Sequence, residues 1–278
     1  MAAADVPRTD QQKQVNAHFD AEASYWQAVY DDPSLQGVIY RDRQRAVLAQ
    51  VVELALPSDA RVLEIGCGAG FLTVELARSG YAIQAVDASQ AMVDLTARRA
   101  QQMDLAARVR AQVGDVHRLP FGNGAFTLVV AVGLLPWLHR PAQALEEIAR
   151  VLEPAGRLLL TADNRARLNT WVDPRASLLL APLKRVRRRL RRGPSAGASS
   201  RLHFPSHVNS LLRAAGFQLD ARSTVGFGPF SFWSQPLLPD SSGIALHERL
   251  QRLADHGVPV FRSSGWHYLV SAHKAPGR

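Results

Sequence analysis

The sequence predicts an α/β fold, a mostly parallel sheet with helices on both faces, preceded by a helical segment and carrying a late insertion. Three observations support this. Between Arg61 and Asp163, short apolar runs rich in Val, Leu and Ile alternate with helical stretches of about 10–15 residues, as βαβ units do. A glycine-rich turn, "GCGAG" (66–70), joins the first of those runs to the first of those helices. The 278 residues, 47% of them apolar, suffice to bury a sizeable core.

Taken in order, Phe19, Tyr25, Trp26, Tyr30, Val47, Leu48, Val51 and Leu54 recur among polar residues with a break near "DDPSLQG", which predicts a helical cap over residues 1–56. "RVLEIG" then reads as a buried strand and "FLTVELARSG" as a helix stopped by Gly80. The alternation continues through strand "AIQAVDAS", helix "QAMVDLTARRAQQMD", and strands "VRAQVGD" and "AFTLVVAVG". Helix "PAQALEEIARVLEPAG", closed by Pro154 to Gly156, and strand "RLLLTAD" complete a core at 57–163. Residues 164–200 form an insertion and loop. In 201–278, helix "PSHVNSLLRAAGF" and strands "QLDARSTVGF" and "GWHYLVSAHK" bring the sheet to seven strands. The connection between those last two strands, rich in Gly, Pro, Phe and Ser, is long enough to suggest a substrate-side lid at about 226–265.

Composition excludes several classes. The longest nearly unbroken apolar stretch, Leu128 to Leu138, is far short of the roughly 20 residues a spanning helix needs. The first residues lack a secretory layout, so a cytoplasmic protein is expected. A single cysteine, Cys67, forms no internal disulfide, and no Cys/His spacing suggests a metal site. The net charge of +9 is local: "KRVRRRLRR" (184–192) holds seven of the 33 basic residues. In that segment Leu179, Leu183, Val186 and Leu190 share one helical face, so 178–192 reads as an amphipathic basic helix. Such a helix suits an anionic membrane surface; the alternatives are a solvated face or contact with RNA phosphates, for which no stacking platform accompanies the arginines.

A strand, a glycine turn and a helix present backbone N–H groups and a positive helix end to a ligand that approaches the main chain. The dinucleotide fingerprint needs a third glycine where Phe71 stands, and no Gly-Lys-Ser/Thr of a P-loop follows. The loop instead has Glu64 two residues before its first glycine, then Gly66, Gly68 and Gly70, and an acidic residue, Asp87, ends the second strand. A carboxylate that accepts two hydrogen bonds suits a ribose diol; Asp87 also stands where it would cap the next helix. Glu64 at the end of an apolar strand calls for a partner.

This succession of motifs resembles the class I S-adenosylmethionine-dependent methyltransferases over roughly Arg61 to Asp163. The resemblance implies a Rossmann-like class I methyltransferase fold with S-adenosylmethionine as cofactor. By it, Glu64, Gly66, Cys67, Gly68 and Gly70 form the cofactor loop, with Cys67 a small loop residue rather than a nucleophile. Asp87 and its neighbour Ala88 bind the ribose hydroxyls, Asp115 and Val116 lie at the adenine, and Ala131 and Val132 close the fourth strand beside the methionine portion. The acceptor side is then expected to be lined by Tyr25, Trp26, Tyr30, Trp137, Phe230 and Trp233, with Leu134, Pro136, Asn164, Phe227 and Phe232 as further candidates. For a hydroxyl acceptor, His139 just beyond the fourth strand is the expected proton acceptor; His203 and His207 better suit capping or surface roles.

The expected function is methyl transfer to a small or lipid-like acceptor, such as a quinone precursor, a lipid or an aromatic metabolite, at the membrane surface if the basic helix docks there. An RNA methyltransferase and a non-catalytic S-adenosylmethionine-binding protein are the alternatives.

Overall fold

The computed structural model describes residues 6–173, 200–233 and 235–275. Helices α1 (Val6–Ala21), α2 (Ala23–Ala28) and α3 (Leu35–Glu53) precede the sheet, and α4 (Phe71–Arg78), α5 (Gln90–Gln102), α6 (Pro141–Val151) and α7 (Pro205–Ala214) cover it. Strands β1 (Arg61–Ile65), β2 (Ala82–Asp87), β3 (Val109–Val113), β4 (Phe126–Ala131), β5 (Leu152–Asp163), β6 (Phe217–Val225) and β7 (His267–Lys274) form one sheet, ordered β3-β2-β1-β4-β5-β7-β6. The first five run parallel, and β7 is antiparallel to both β5 and β6. This is the fold that the motif order implies.

Strand pleating sorts the core into two layers. Val62, Ile83, Leu128 and Val130 face α3, α4 and α5 through Val47, Val51, Leu72, Leu76 and Ala100. Leu63, Ile65, Val86 and Val129 face α6 and α7 through Leu145, Ile148, Val208 and Leu212. Burial of each such side chain contributes about 1.5–3 kcal/mol. Both faces of β1 and β4 are thereby covered, which is why their sequences are mostly apolar, with Glu64 and Thr127 among the exceptions.

Two expectations are corrected. The helix expected to reach Gly156 ends at Val151, and Leu152 already pairs with Phe126 as the first residue of β5. Pro154 lacks an amide hydrogen and disfavours helical backbone at Glu153, and Ala155 turns the chain with φ 61° before regular pairing resumes at Arg157. The connection between β6 and β7 is not merely a loop: it holds α8 (Asp240–Asp255) and α9 (Pro259–Ser264). In α8, Leu246, Leu250 and Leu253 recur at helical spacing, but its residues that are buried are Gly243, His247 and Ala254. It braces the cap: His247 accepts from the Phe227 amide at Nδ1 (3.1 Å) and therefore donates from Nε2 to Asp42 (2.8 Å), and Asp240 accepts from the Leu35 amide (3.2 Å).

The expected basic helix at 178–192 lies outside the described residues. Among the described residues, no helix is long and apolar enough to cross a membrane, and no cluster of His, Cys, Asp and Glu could hold a metal ion.

Candidate active site

Strand order reverses between β1 and its neighbours β2 and β4, which opens a crevice at their carboxyl ends. A cavity of 660 Å³ fills it, within the range of small-molecule sites. Its floor is the glycine loop. Gly66 and Gly68 take left-handed φ values of 75° and 55°, and a Cβ on Gly68 would meet no protein atom within 4 Å, so that backbone faces open space. Gly70, also left-handed at φ 79°, has another task. A Cβ there would stand 2.8 Å from Thr96 Cα, so this glycine lets α4 start against α5. It is not among the cavity-lining residues, and neither is Ala131, which is fully buried.

Asp87 reaches back across the loop. Its Oδ2 accepts from the Gly68 amide (2.9 Å) and its Oδ1 from the Ser89 amide (3.0 Å), the Ala88 amide also acts on the carboxylate, and the two oxygens keep further acceptor capacity. Ser89, not Asp87, caps α5, accepting from the Met92 amide at 3.2 Å. Burial raises the Asp87 pKa against the opposing effect of those amides. Glu64, 3% exposed, accepts from the Thr73 hydroxyl at 2.5 Å, and burial pushes its pKa up to about 8, Asp87 adding repulsion. Asp115 lines the cavity beside Val116; its bond to His117 Nδ1 (2.7 Å) holds its pKa down. Cys67 is buried, and burial raises its thiol pKa, which suits a loop residue rather than a nucleophile.

The other half of the cavity is aromatic and charged. Phe19 of α1 meets Trp137 edge-on at 4.9 Å between centroids and His18 lies 5.2 Å from it, so α1 roofs the crevice. Tyr30 stacks on Phe71 at 4.3 Å, and Trp26, Tyr40, His267 and Trp266 continue the wall at 5.3–5.8 Å steps. Asp163 ends β5 and His267 begins β7, and these antiparallel neighbours face each other in register. His267 is 1% exposed; its Nδ1 lies 3.1 Å from Asp163 Oδ1, and its Nε2 has no partner. Burial chiefly lowers the His267 pKa, with the Arg43 charge adding to it, so the ring is neutral at pH 7 and Nε2 holds a lone pair. Arg43, 7% exposed, bonds Tyr30 Oη at 3.4 Å.

Of the expected acceptor residues, Tyr25, Trp26, Tyr30 and Trp137 line the cavity, as do Leu134 and, on the cofactor side, Ala88 and Val132. Phe230 and Trp233 do not; Trp233 is 60% exposed, beside a two-residue ribbon in which Ser231 pairs with Pro236. Phe227 is core against Phe261, and Asn164 is buried and ties β5 to the backbone at Ser263 and Gly265. His139 also misses the cavity. The 3₁₀ turn Leu135–Trp137 aims Trp137 at α1, and the chain beyond it sets the His139 ring 4.1 Å from His117, at the Asp115 end. His18 and His267 are the histidines that line the cavity, and His267, the one paired with a carboxylate at its wall, was missed because it sits inside an apolar strand 104 residues from that partner. Arg43 and Tyr40 were missed because a helix-borne "YRDR" looks solvated.

Residues 63–160 match the family model described as a methyltransferase domain. Over 121 residues the chain is 36% identical to the biotin biosynthesis bifunctional protein BioHC of Cellvibrio japonicus, covering 42% of this chain and 23% of that one. It is 36% identical over 123 residues to the demethylmenaquinone methyltransferase of Lactiplantibacillus plantarum (43% and 51% covered), and 28% identical over 181 to the ubiquinone biosynthesis O-methyltransferase of Xanthomonas axonopodis pv. citri (63% and 69%). The chain thus spans 23% and 51% of the length of the first two relatives. Its fold is shared with magnesium protoporphyrin IX methyltransferase ChlM of Synechocystis PCC 6803, solved with bound SAH (TM-score 0.65, 17% identity, 95% and 100% covered). It is also shared with the [4+2]-cyclase SpnF (TM-score 0.61, 21% identity, 96% and 97% covered).

Proposed function

We propose that this chain, whose residues 63–160 match a methyltransferase domain, is a class I S-adenosylmethionine-dependent methyltransferase that transfers a methyl group from that cofactor to an oxygen of a small aromatic or lipid-like acceptor. The observation that carries the reading is a single cavity with two unlike halves. One half, with Gly66, Gly68, Asp87 and Asp115, fits a nucleoside ligand; the other is an aromatic chamber ending on a neutral histidine.

The bound cofactor supplies an electrophilic methyl group on a sulfonium. Asp87 would hold the ribose diol with its remaining acceptor capacity, and Asp115 the adenine end. Arg43 lies close under Gly133, where an added Cβ would stand 3.2 Å from Nη1, and suits the cofactor's carboxylate. The wall formed by Trp26, Tyr30, Tyr40 and Trp137 orients a flat acceptor and excludes water, and alignment of oxygen, methyl carbon and sulfur supplies much of the acceleration. His267 takes the acceptor's proton at Nε2 while Asp163 fixes its tautomer, the role first expected of His139.

The quinone-related names among the relatives favour a quinone precursor as acceptor. Presentation from an anionic membrane surface through 178–192 rests on the sequence; in its support, Arg167 before that segment and Ser200 and Leu202 after it all line the cavity. Incubating the protein with methyl-labelled S-adenosylmethionine and a whole-cell extract of its host that retains lipid, RNA and small metabolites, followed by separation of those fractions, tests the function. Label in the organic phase supports it, and label in RNA or nowhere overturns it. Removing the arginines of 184–192 should abolish sedimentation with anionic liposomes.

A further inference from the structure

The acceptor half of the cavity is short of acceptor atoms. Four cavity-lining residues hold a buried donor nitrogen without a hydrogen-bond partner, Trp26, Arg43, Arg167 and Trp266, and His267 Nε2 is the one buried unpartnered nitrogen beside them that can accept. The indole and guanidinium nitrogens can only donate. Among the described residues, neither Arg43 nor Arg167 has a carboxylate within 4.0 Å, while Asp163, the acid nearest in charge to both, is engaged by His267. Glu22, the other acid on this side, is exposed. Two guanidiniums, one of them wholly enclosed, thus face one shared carboxylate, and a buried cation without a counter-charge is costly.

A bound cofactor would answer only part of this excess. Arg43 beside Gly133 would hold its carboxylate, while its sulfonium would bring a further positive charge. Arg167 then remains. Its guanidinium carbon lies 5.5 Å from the centre of the Trp266 ring, which stacks on His267 at 5.3 Å and 7°. The donors of Arg167 and Trp266 therefore sit beside a flat aromatic wall, the arrangement that receives a planar oxyanion.

We propose that the methyl acceptor is a carboxylate-bearing aromatic or acyl compound whose carboxylate is held by Arg167 with the indole N–H of Trp266. This rests on the methyltransferase reading for the word acceptor; the anion site itself does not. The carboxylate fixes one end of the ligand and selects against neutral analogues of the same shape, because an uncharged ligand leaves the half-buried Arg167 guanidinium, with its buried Nε, without an anionic partner.

The test is calorimetric titration of the full chain, saturated with S-adenosylhomocysteine, with 3,4-dihydroxybenzoate, its methyl ester and catechol. The benzoate should bind at least about tenfold more tightly than either neutral probe, a difference of about 1.4 kcal/mol. Arg167→Gln should bring the three to parity without changing S-adenosylhomocysteine affinity, and Arg167→Lys should keep part of the preference. Equal affinities, no detectable binding, or a preference that survives Arg167→Gln overturns the proposal. Catechol matching the benzoate also overturns it, by moving the oxyanion to an ionised hydroxyl. Failure of S-adenosylhomocysteine to bind counts against the methyltransferase reading alone, since the same titrations on the unloaded protein still decide the anion site.

Discussion

Replacing Glu64 by glutamine should flatten the pH dependence of stability of the ligand-free protein. Glu64 lies at the end of β1 with the Thr73 hydroxyl as its hydrogen-bond partner, and its pKa rises from 4.5 to about 8. At about 1.4 kcal/mol per pKa unit, ionising it in the folded chain is about 5 kcal/mol harder than in the unfolded one. Between pH 4.5 and 8 the folded state keeps a proton that the unfolded state has lost, so this group's contribution falls as pH rises through that window and is constant outside it. The substituted amide has no such proton and can still accept from Thr73. The stability of Glu64→Gln relative to wild type should therefore climb by about 3 kcal/mol from pH 5 to pH 7, measured by guanidinium melts of both proteins. Parallel curves across that range would falsify the reasoning. S-adenosylmethionine, which brings positive charge beside the carboxyl, should favour its ionised form and shrink the difference.

Asp87→Ala should weaken S-adenosylmethionine binding at least 100-fold by calorimetry, since two charge-assisted bonds of about 1.5–3 kcal/mol each are lost; a loss below tenfold would remove Asp87 from the ribose. Gly70→Ala should lower stability by about 2 kcal/mol or more in denaturant melts, because the Cβ meets Thr96 at 2.8 Å in a left-handed backbone. Gly68→Ala, with no neighbour within 4 Å, should cost only about 1–2 kcal/mol from its φ, and the reverse ranking would refute this division of labour. His267→Ala should reduce kcat on a hydroxyl acceptor by about 100-fold or more, while His139→Ala leaves it within about threefold. With the His267 pKa lowered by burial, activity should persist below pH 6.5 and be lost only as the imidazole protonates; an acid limb above 6.5 would contradict the assignment.

The cofactor half of the site was legible because it is local. Glu64, Gly66, Gly68 and Asp87 lie within one βαβ unit, and their spacing is dictated by the turn they build. What locality does not show is the second constraint on Gly70, which comes from Thr96 on a different helix. On the acceptor side, legibility followed distance along the chain. Tyr25, Trp26 and Tyr30 were found because they cluster on the cap, whereas Phe230 and Trp233 were misplaced because a Gly/Pro-broken aromatic run resembles a lid. Leu246, Leu250 and Leu253 space α8 as a helix, but its clamp on α3 through His247 and Asp42 is a polar contact across 205 residues that apolar spacing does not encode.

By itself, then, the sequence determined the alternation of strands and helices, hence the parallel sheet, and the chemistry of the loop after β1. Hydrophobic period and turn residues act between near neighbours. Only the tertiary structure decided which histidine faces the cavity and which charges surround it. Antiparallel register between β5 and β7 sets His267 against Asp163, and the descent of α3 across the crevice brings Arg43 beneath Gly133. Those contacts join residues some 90 or more positions apart, and they are fixed by the packing of whole elements, which no local pattern encodes.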